Sequence, residues 1–176
     1  MIEVEAKIKI SSPEEARKKI RQIAKFTKKQ VKIDDYYTLE KLNHYPEKSL
    51  RIRKTGNTYE INFKQRLSYI KGIHAKNEQE FKSDDIEDFL ILIKNFGFRK
   101  WLTKIKHNET YRIRKNFNIE LNHVKNLGWF AEVEYLTTLG DINKARKEVL
   151  KVISLLGAGR KDIIKDGYTK LLWDKR

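Results

Sequence analysis

Two glutamate pairs, Glu3–Glu5 and Glu132–Glu134, are each spaced i, i+2 in runs where charged and apolar residues alternate. On a β-strand that spacing points both carboxylates of a pair to the same side. Crowded carboxylates repel unless cations neutralise them, and an all-oxygen set suits a hard divalent ion such as Mg²⁺, Mn²⁺ or Ca²⁺. A further pair, Glu78 and Glu80, is placed to complete a second metal site or to orient a water molecule. The bases obey the same alternation. Arg51 and Arg53 share a face, and Lys7 and Lys64 sit in comparable runs. A guanidinium grips phosphate oxygens as a planar fork, while an ammonium acts as a point charge. Between residues 104 and 114, Lys104, Lys106, Arg112 and Arg114 all occupy even positions, so either pair can furnish a basic wall. Taken singly, each of these pairs also fits a surface ladder of opposite charges, and Glu78 and Glu80 also fit ion pairing to nearby lysines.

The alternation marks the elements that must carry these residues. Seven strands are expected, in residues 1–10, 50–53, 59–66, 73–82, 104–114, 117–122 and 131–135. Ser12-Pro13-Glu14-Glu15 opens a helix with a capping box. Ser83-Asp84-Asp85 opens a second that ends at Gly97, and Asp141 caps a third that ends at Gly157. A short fourth helix is expected over residues 162–172. Antiparallel strands of this pattern form an ordinary sheet with one solvated face. Their polar faces, however, hold long Arg, Lys and Glu side chains, sorted into acidic and basic strands. A barrel that closes the sheet would remove its edges and turn these faces into a lumen. The amphipathic stretch from Asp141 to Leu156 then either covers the barrel or joins a homodimer.

Composition bounds the remaining choices. The chain has 176 residues, with 39 Lys and Arg against 24 Asp and Glu, a formal charge of +15 that points to a polyanionic partner. It reads as one domain over residues 1–176. It has no cysteine, so thiolate metal sites and cysteine nucleophiles are excluded. His44, His74, His107 and His123 lack metal-ligand spacing. Neither GxxxxGK[ST] nor GxGxxG occurs. Tyr36, Tyr37, Trp101, Trp129 and Trp173 are expected to be core or helix contacts rather than base-stacking platforms. No apolar run is long enough for a membrane span, and the charged opening MIEVEAKIKI does not read as a signal peptide, so a cytoplasmic location is expected.

Glu3-Val4-Glu5-Ala6-Lys7 resembles the ExExK signature of the CYTH superfamily, the triphosphate tunnel metalloenzymes. Further segments resemble the family in order along the chain: Asp35-Tyr36-Tyr37, Leu50-Arg51-Ile52-Arg53, Phe63-Lys64, Lys76-Asn77-Glu78-Gln79-Glu80, Lys104-Ile105-Lys106, Leu127 to Glu134, and Asp166 to Leu172. The resemblance implies an α+β fold, an eight-stranded antiparallel β-barrel with helices outside, that binds a triphosphate with Mg²⁺ or Mn²⁺. Where the family has an aspartate this chain has Asn122, which the resemblance places at a metal position. The activities the resemblance implies include inorganic, nucleoside, RNA and thiamine triphosphatase and class IV adenylyl cyclase. A metal-dependent triphosphatase acting on inorganic triphosphate or nucleoside triphosphates is expected first, with the cyclase next. Thiamine triphosphatase and a non-catalytic polyanion binder follow. The partner is a small triphosphate, with no membrane and no stable nucleic-acid complex.

Overall fold

Alternation of apolar and polar residues forces each strand to choose two solvents, and a closed ring satisfies both. The computed structural model describes residues 2–70 and 73–176, and of these the side chains outside 64–79. The strands are β1 (Ile2–Ile10), β2 (Lys25–Thr38), β3 (Leu50–Thr55), β4 (Thr58–Ile70), β5 (Ile73–Ser83), β6 (Arg99–Arg114), β7 (Phe117–Val124) and β8 (Gly128–Thr137). They form a closed antiparallel barrel in the order β1-β5-β4-β3-β2-β6-β7-β8. β8 returns to β1 with Ile2 opposite Thr137 and Ile10 opposite Trp129. The polar faces turn inward, and the apolar faces pack against helices or face solvent.

Four α-helices accompany the barrel: α1 (Pro13–Ile23), α2 (Glu87–Asn95), α3 (Ile142–Leu155) and α4 (Tyr168–Trp173). The main core lies outside the barrel wall. There Ala16 and Ile20 of α1 and Ala145, Val149 and Ile153 of α3 bury Val4, Ile8, Ile119, Leu121 and Val133. A second cluster sets Ile93 of α2 against Ile52 and Ile61. A third joins Tyr168, with Leu171 and Leu172 beside it, to Val124, Leu127 and Phe130. None of the described helices is long and apolar enough to cross a membrane.

Ser12 caps α1, its hydroxyl accepting the Glu15 amide at 3.4 Å. α2 and α3 end as their glycines require: Gly97 has φ +90° and Gly157 φ +87°, and the amides of Phe98 and Ala158 reach back to the carbonyls of Ile93 and Ile153. Two starts differ from expectation. Ser83 closes β5, its hydroxyl taking up the turn at Asp85, and α2 begins only at Glu87. Residues 160–162 form a 3₁₀ turn rather than the start of the last helix, which opens at Tyr168 after Gly167. β2, the eighth strand, was not among the seven expected.

Candidate functional site

The two-residue period of the strands delivers each lumen side chain. β1 brings in Glu3, Glu5 and Lys7, all buried, and β8 brings Glu132 and Glu134. The register sets Glu5 opposite Glu134 and Lys7 opposite Glu132. β7 adds Glu120, opposite Glu132. Among the described residues two carboxylate clusters result, Glu3–Glu5–Glu134 and Glu120–Glu132–Glu134, each with oxygens within 4.8 Å of one another. Glu134 belongs to both. Its carboxyl is pushed up to about 8, by burial first and then by the charges of Glu120 and Glu132. A site that must hold a proton to relieve its own repulsion is short of positive charge. With all-oxygen donors, it fits a hard divalent cation.

The opposite wall is basic, and it is set in buried acids. Arg53 grips the fully buried Asp34 with Nε to Oδ1 at 2.6 Å and a second nitrogen to Oδ2 at 2.9 Å. Lys104 adds 2.9 Å contacts to Asp34 and to the Tyr36 hydroxyl. Burial alone would raise the Asp34 carboxyl, but Lys104 and Arg53 outweigh it and hold it well below the usual range. Arg51 reaches Glu60 at 2.6 Å. Lys106 bridges Glu120 and Glu132, 3.1 Å from each, and these two acids raise its ammonium despite complete burial. Lys32 binds Glu120 at 2.6 Å, yet burial still lowers its ammonium. Glu120, between Lys106 and Lys32, is held down against its burial. The walls are thus linked by ion pairs on one side, through Lys106 and Lys32.

Both walls line one cavity of about 850 Å³. Tyr36, Tyr45 and Trp101 join the lining. Trp101 stands edge-on to Tyr45 at 5.6 Å and to Trp173 at 5.8 Å, and its indole N–H donates to Ser49 at 3.1 Å. The C-terminal segment packs beside these residues. Ile163 bridges to Ile8, the Ile164 amide donates to the Lys7 carbonyl at 2.9 Å, and the Tyr45 and Thr169 hydroxyls meet at 2.8 Å.

Of the residues singled out in the sequence, Glu3, Glu5, Lys7, Arg51, Arg53, Lys104, Lys106, Glu132 and Glu134 all line this cavity. Glu80 lines it too, from an exposed position. The side chains of Lys64 and Glu78 lie outside the described residues; their backbones face each other across β4 and β5. Arg112 and Arg114 do not belong to the basic wall. A β-bulge between them breaks the alternation. Arg112 is exposed beyond the cavity, and Arg114 turns out to Glu148 of α3 at 3.0 Å. Asn122 is fully buried beside the acids, but its carbonyl accepts from Asn108 at 2.8 Å and its amide donates to Glu132 at 2.8 Å. Its oxygen thus accepts one bond from the neighbouring strand, and its amide holds Glu132 in place. Tyr36 and Trp101 are packing residues, as expected, but they also line the cavity.

Lining residues given no site role in the sequence reading include Lys32, Glu60, Asn62, Glu120 and Tyr168, and the buried Asp34 behind Arg53 was given none either. Glu120 stood in plain view, sharing a polar face with Asn118 and Asn122. The alternation Lys32-x-Asp34-x-Tyr36 carried the signal for β2.

Residues 1–168 match the CYTH domain. No curated protein sequence matches the chain. Among solved structures, the PH1012 protein of Pyrococcus horikoshii OT3 is 27% identical, with a TM-score of 0.82 over 96% of this chain and 98% of that one. A candidate adenylate cyclase of Vibrio parahaemolyticus is 16% identical, with a TM-score of 0.81 over 98% of each chain. The candidate adenylyl cyclase HpAC1 of Hippeastrum, described as having a dominant triphosphatase activity, is 15% identical, with a TM-score of 0.59 over 88% of each chain. The last two establish likeness of fold. Matched from residue 1 to residue 168, with the eight-stranded barrel and its charged lumen, the chain belongs to the CYTH domain family.

Proposed function

We propose that the chain is a divalent-metal-dependent triphosphatase that cleaves the terminal phosphoanhydride of inorganic triphosphate or of nucleoside triphosphates. The observation that carries this reading is the pairing of two walls in one closed lumen, carboxylates from β1, β7 and β8 facing cations from β3 and β6. A groove for polyanions alone would exclude the carboxylates, and a metal site alone has no use for the arginines.

Arg51, Arg53, Lys7, Lys104 and Lys106 bind and align the phosphates by charge-assisted hydrogen bonds. Glu3, Glu5 and Glu134, or Glu120, Glu132 and Glu134, would hold Mg²⁺ or Mn²⁺, which when bound neutralises charge on the phosphate oxygens. Asp34 and Glu60 fix the arginines before substrate arrives, so little reorganisation is left for the reaction. Glu80, which is exposed and lines the same cavity, would orient a water whose oxygen attacks the terminal phosphorus. The bond from that phosphorus to the bridging oxygen breaks, releasing orthophosphate and diphosphate from triphosphate, or orthophosphate and ADP from ATP. HpAC1, with the same fold, is described by this kind of activity.

A class IV adenylyl cyclase is the second reading. It is favoured by the cavity's size, which leaves room for more than the phosphates, and by Tyr36, Tyr45 and Trp101 in its lining. Product chromatography with Mg²⁺ decides between them. Hydrolysis predicts ADP and orthophosphate from ATP, and turnover of inorganic triphosphate at least as efficient. Substantial cAMP from ATP, with inorganic triphosphate inert, would replace the first reading by the second.

A further inference from the structure

We infer that Tyr168 is a positioning residue whose ring gathers the ammonium groups of Lys7, Lys104 and Lys106 without adding a counter-charge of its own. This rests on the triphosphatase reading of the same lumen. The three nitrogens lie 5.2, 5.5 and 5.7 Å from the ring centroid, within the range of cation–π attraction. They come from two strands, β1 and β6. Tyr168 belongs to neither, and is brought in from outside the barrel as the first residue of α4.

Three like charges converging in a buried space repel one another. The acids already bound to Lys104 and Lys106 hold them by neutralising them, and a further carboxylate would compete with the substrate. An aromatic face attracts cations through its quadrupole and carries no net charge. Two of the lysines also have acid partners, Asp34 for Lys104, and Glu120 and Glu132 for Lys106. The ring adds a common centre to these separate tethers.

The segment around Tyr168 is built to hold that ring still. Its edge packs on Phe130 with centroids 5.0 Å apart, and Leu171 and Leu172 dock beside Val124 and Leu127. Lys7 is bound to this segment twice, its ammonium donating to the Asp166 carbonyl at 3.4 Å and its own carbonyl accepting the Ile164 amide. Tyr168 is buried at 5% exposure and lines the cavity.

The test compares Tyr168→Phe, which keeps the ring, with Tyr168→Met and Tyr168→Leu, which fill the space without one. With inorganic triphosphate and Mg²⁺, Met and Leu should raise KM about tenfold while kcat stays within about threefold. Phe should restore KM to within about threefold of the parent. A damaged Phe variant would assign the role to the hydroxyl and overturn the inference, as would an unchanged KM in Met and Leu. A parent protein that turns over neither triphosphate nor ATP would fail the function and not the ring. For that case the readout is lysine NMR. Aromatic ring-current shifts on the side-chain protons of Lys7 and Lys106 should persist in Phe and vanish in Met and Leu, while Lys104, 5.3 Å from the Tyr36 ring, keeps a shift in every variant. Their absence from the parent protein would sink the inference.

Discussion

Glu134 shows how crowding sets a single residue's chemistry. Its carboxyl titrates at about 8 in the folded chain, against about 4.3 for an unperturbed glutamate. A raised value stabilises the fold fully below the unfolded pKa, and that contribution is lost as the pH rises through about 8. In EDTA the melting temperature should therefore fall steadily between about pH 5 and pH 8, and Glu134→Gln should flatten that slope. A parent protein whose metal-free melting is indifferent to pH would contradict the crowding. In the basic wall, two arginines separated by one residue should behave differently. Under the proposed function Arg51→Ala should remove a phosphate contact of about 1.5–3 kcal/mol and raise KM for triphosphate about ten- to a hundredfold. Lys147→Ala, exposed on α3, should leave it alone. Arg53→Ala also strips Asp34 of its bidentate partner, leaving Lys104 as the nearby cation. Its cost in urea denaturation should reach about 3 kcal/mol, as for other broken buried pairs.

Elements, rather than residues, decide how much could be read in advance. Seven strands were legible because charged and apolar residues alternate along them, as at Ile2-Glu3-Val4-Glu5. β2 was not, because adjacent Lys28 and Lys29 put charge on both faces of its first half, and Phe26, Val31 and Ile33 leave its outer face exposed. A bulge after Phe26 further breaks its period. The same kind of irregularity hid the turn outward at Arg114. Asn122 was placed at the site, but no spacing could show that Asn108 would claim its carbonyl from the neighbouring strand. At this scale α1 offers a separable test. Arg17 ties it to β6 by two bonds to Glu109, 2.9 and 3.0 Å, and lies over the Trp129 ring at 5.1 Å. Arg17→Ala should lower stability by about 1.5–3 kcal/mol, the value of a hydrogen bond to a charged group. KM should stay at the parent value, since the clamp lies outside the lumen. A large KM change would mean that α1 shapes the lumen itself.

Across the whole molecule the charge of +15 acts over distances that no single lumen residue spans. It should draw anionic substrates toward the barrel in a way that dissolved ions screen, whereas the buried walls are screened far less. Raising KCl from about 0.05 to about 0.5 M, across which the Debye length shrinks several-fold, should reduce kcat/KM much more than kcat. An equal loss in both would place the salt effect inside the lumen. The closed ring has a consequence for the order in which the molecule can be made. β1 is synthesised first, but one long edge of it pairs with β8, whose Glu134 emerges about 130 residues after Glu5. The apolar face of β1 needs α3, later still. Until then Val4 and Ile8 have no permanent cover, and Lys7 waits for residues 164–168. A ribosome-bound chain halted before Gly157 would thus hold all eight strands but no finished lumen, whose lining is complete only once residues 165–170 have been added.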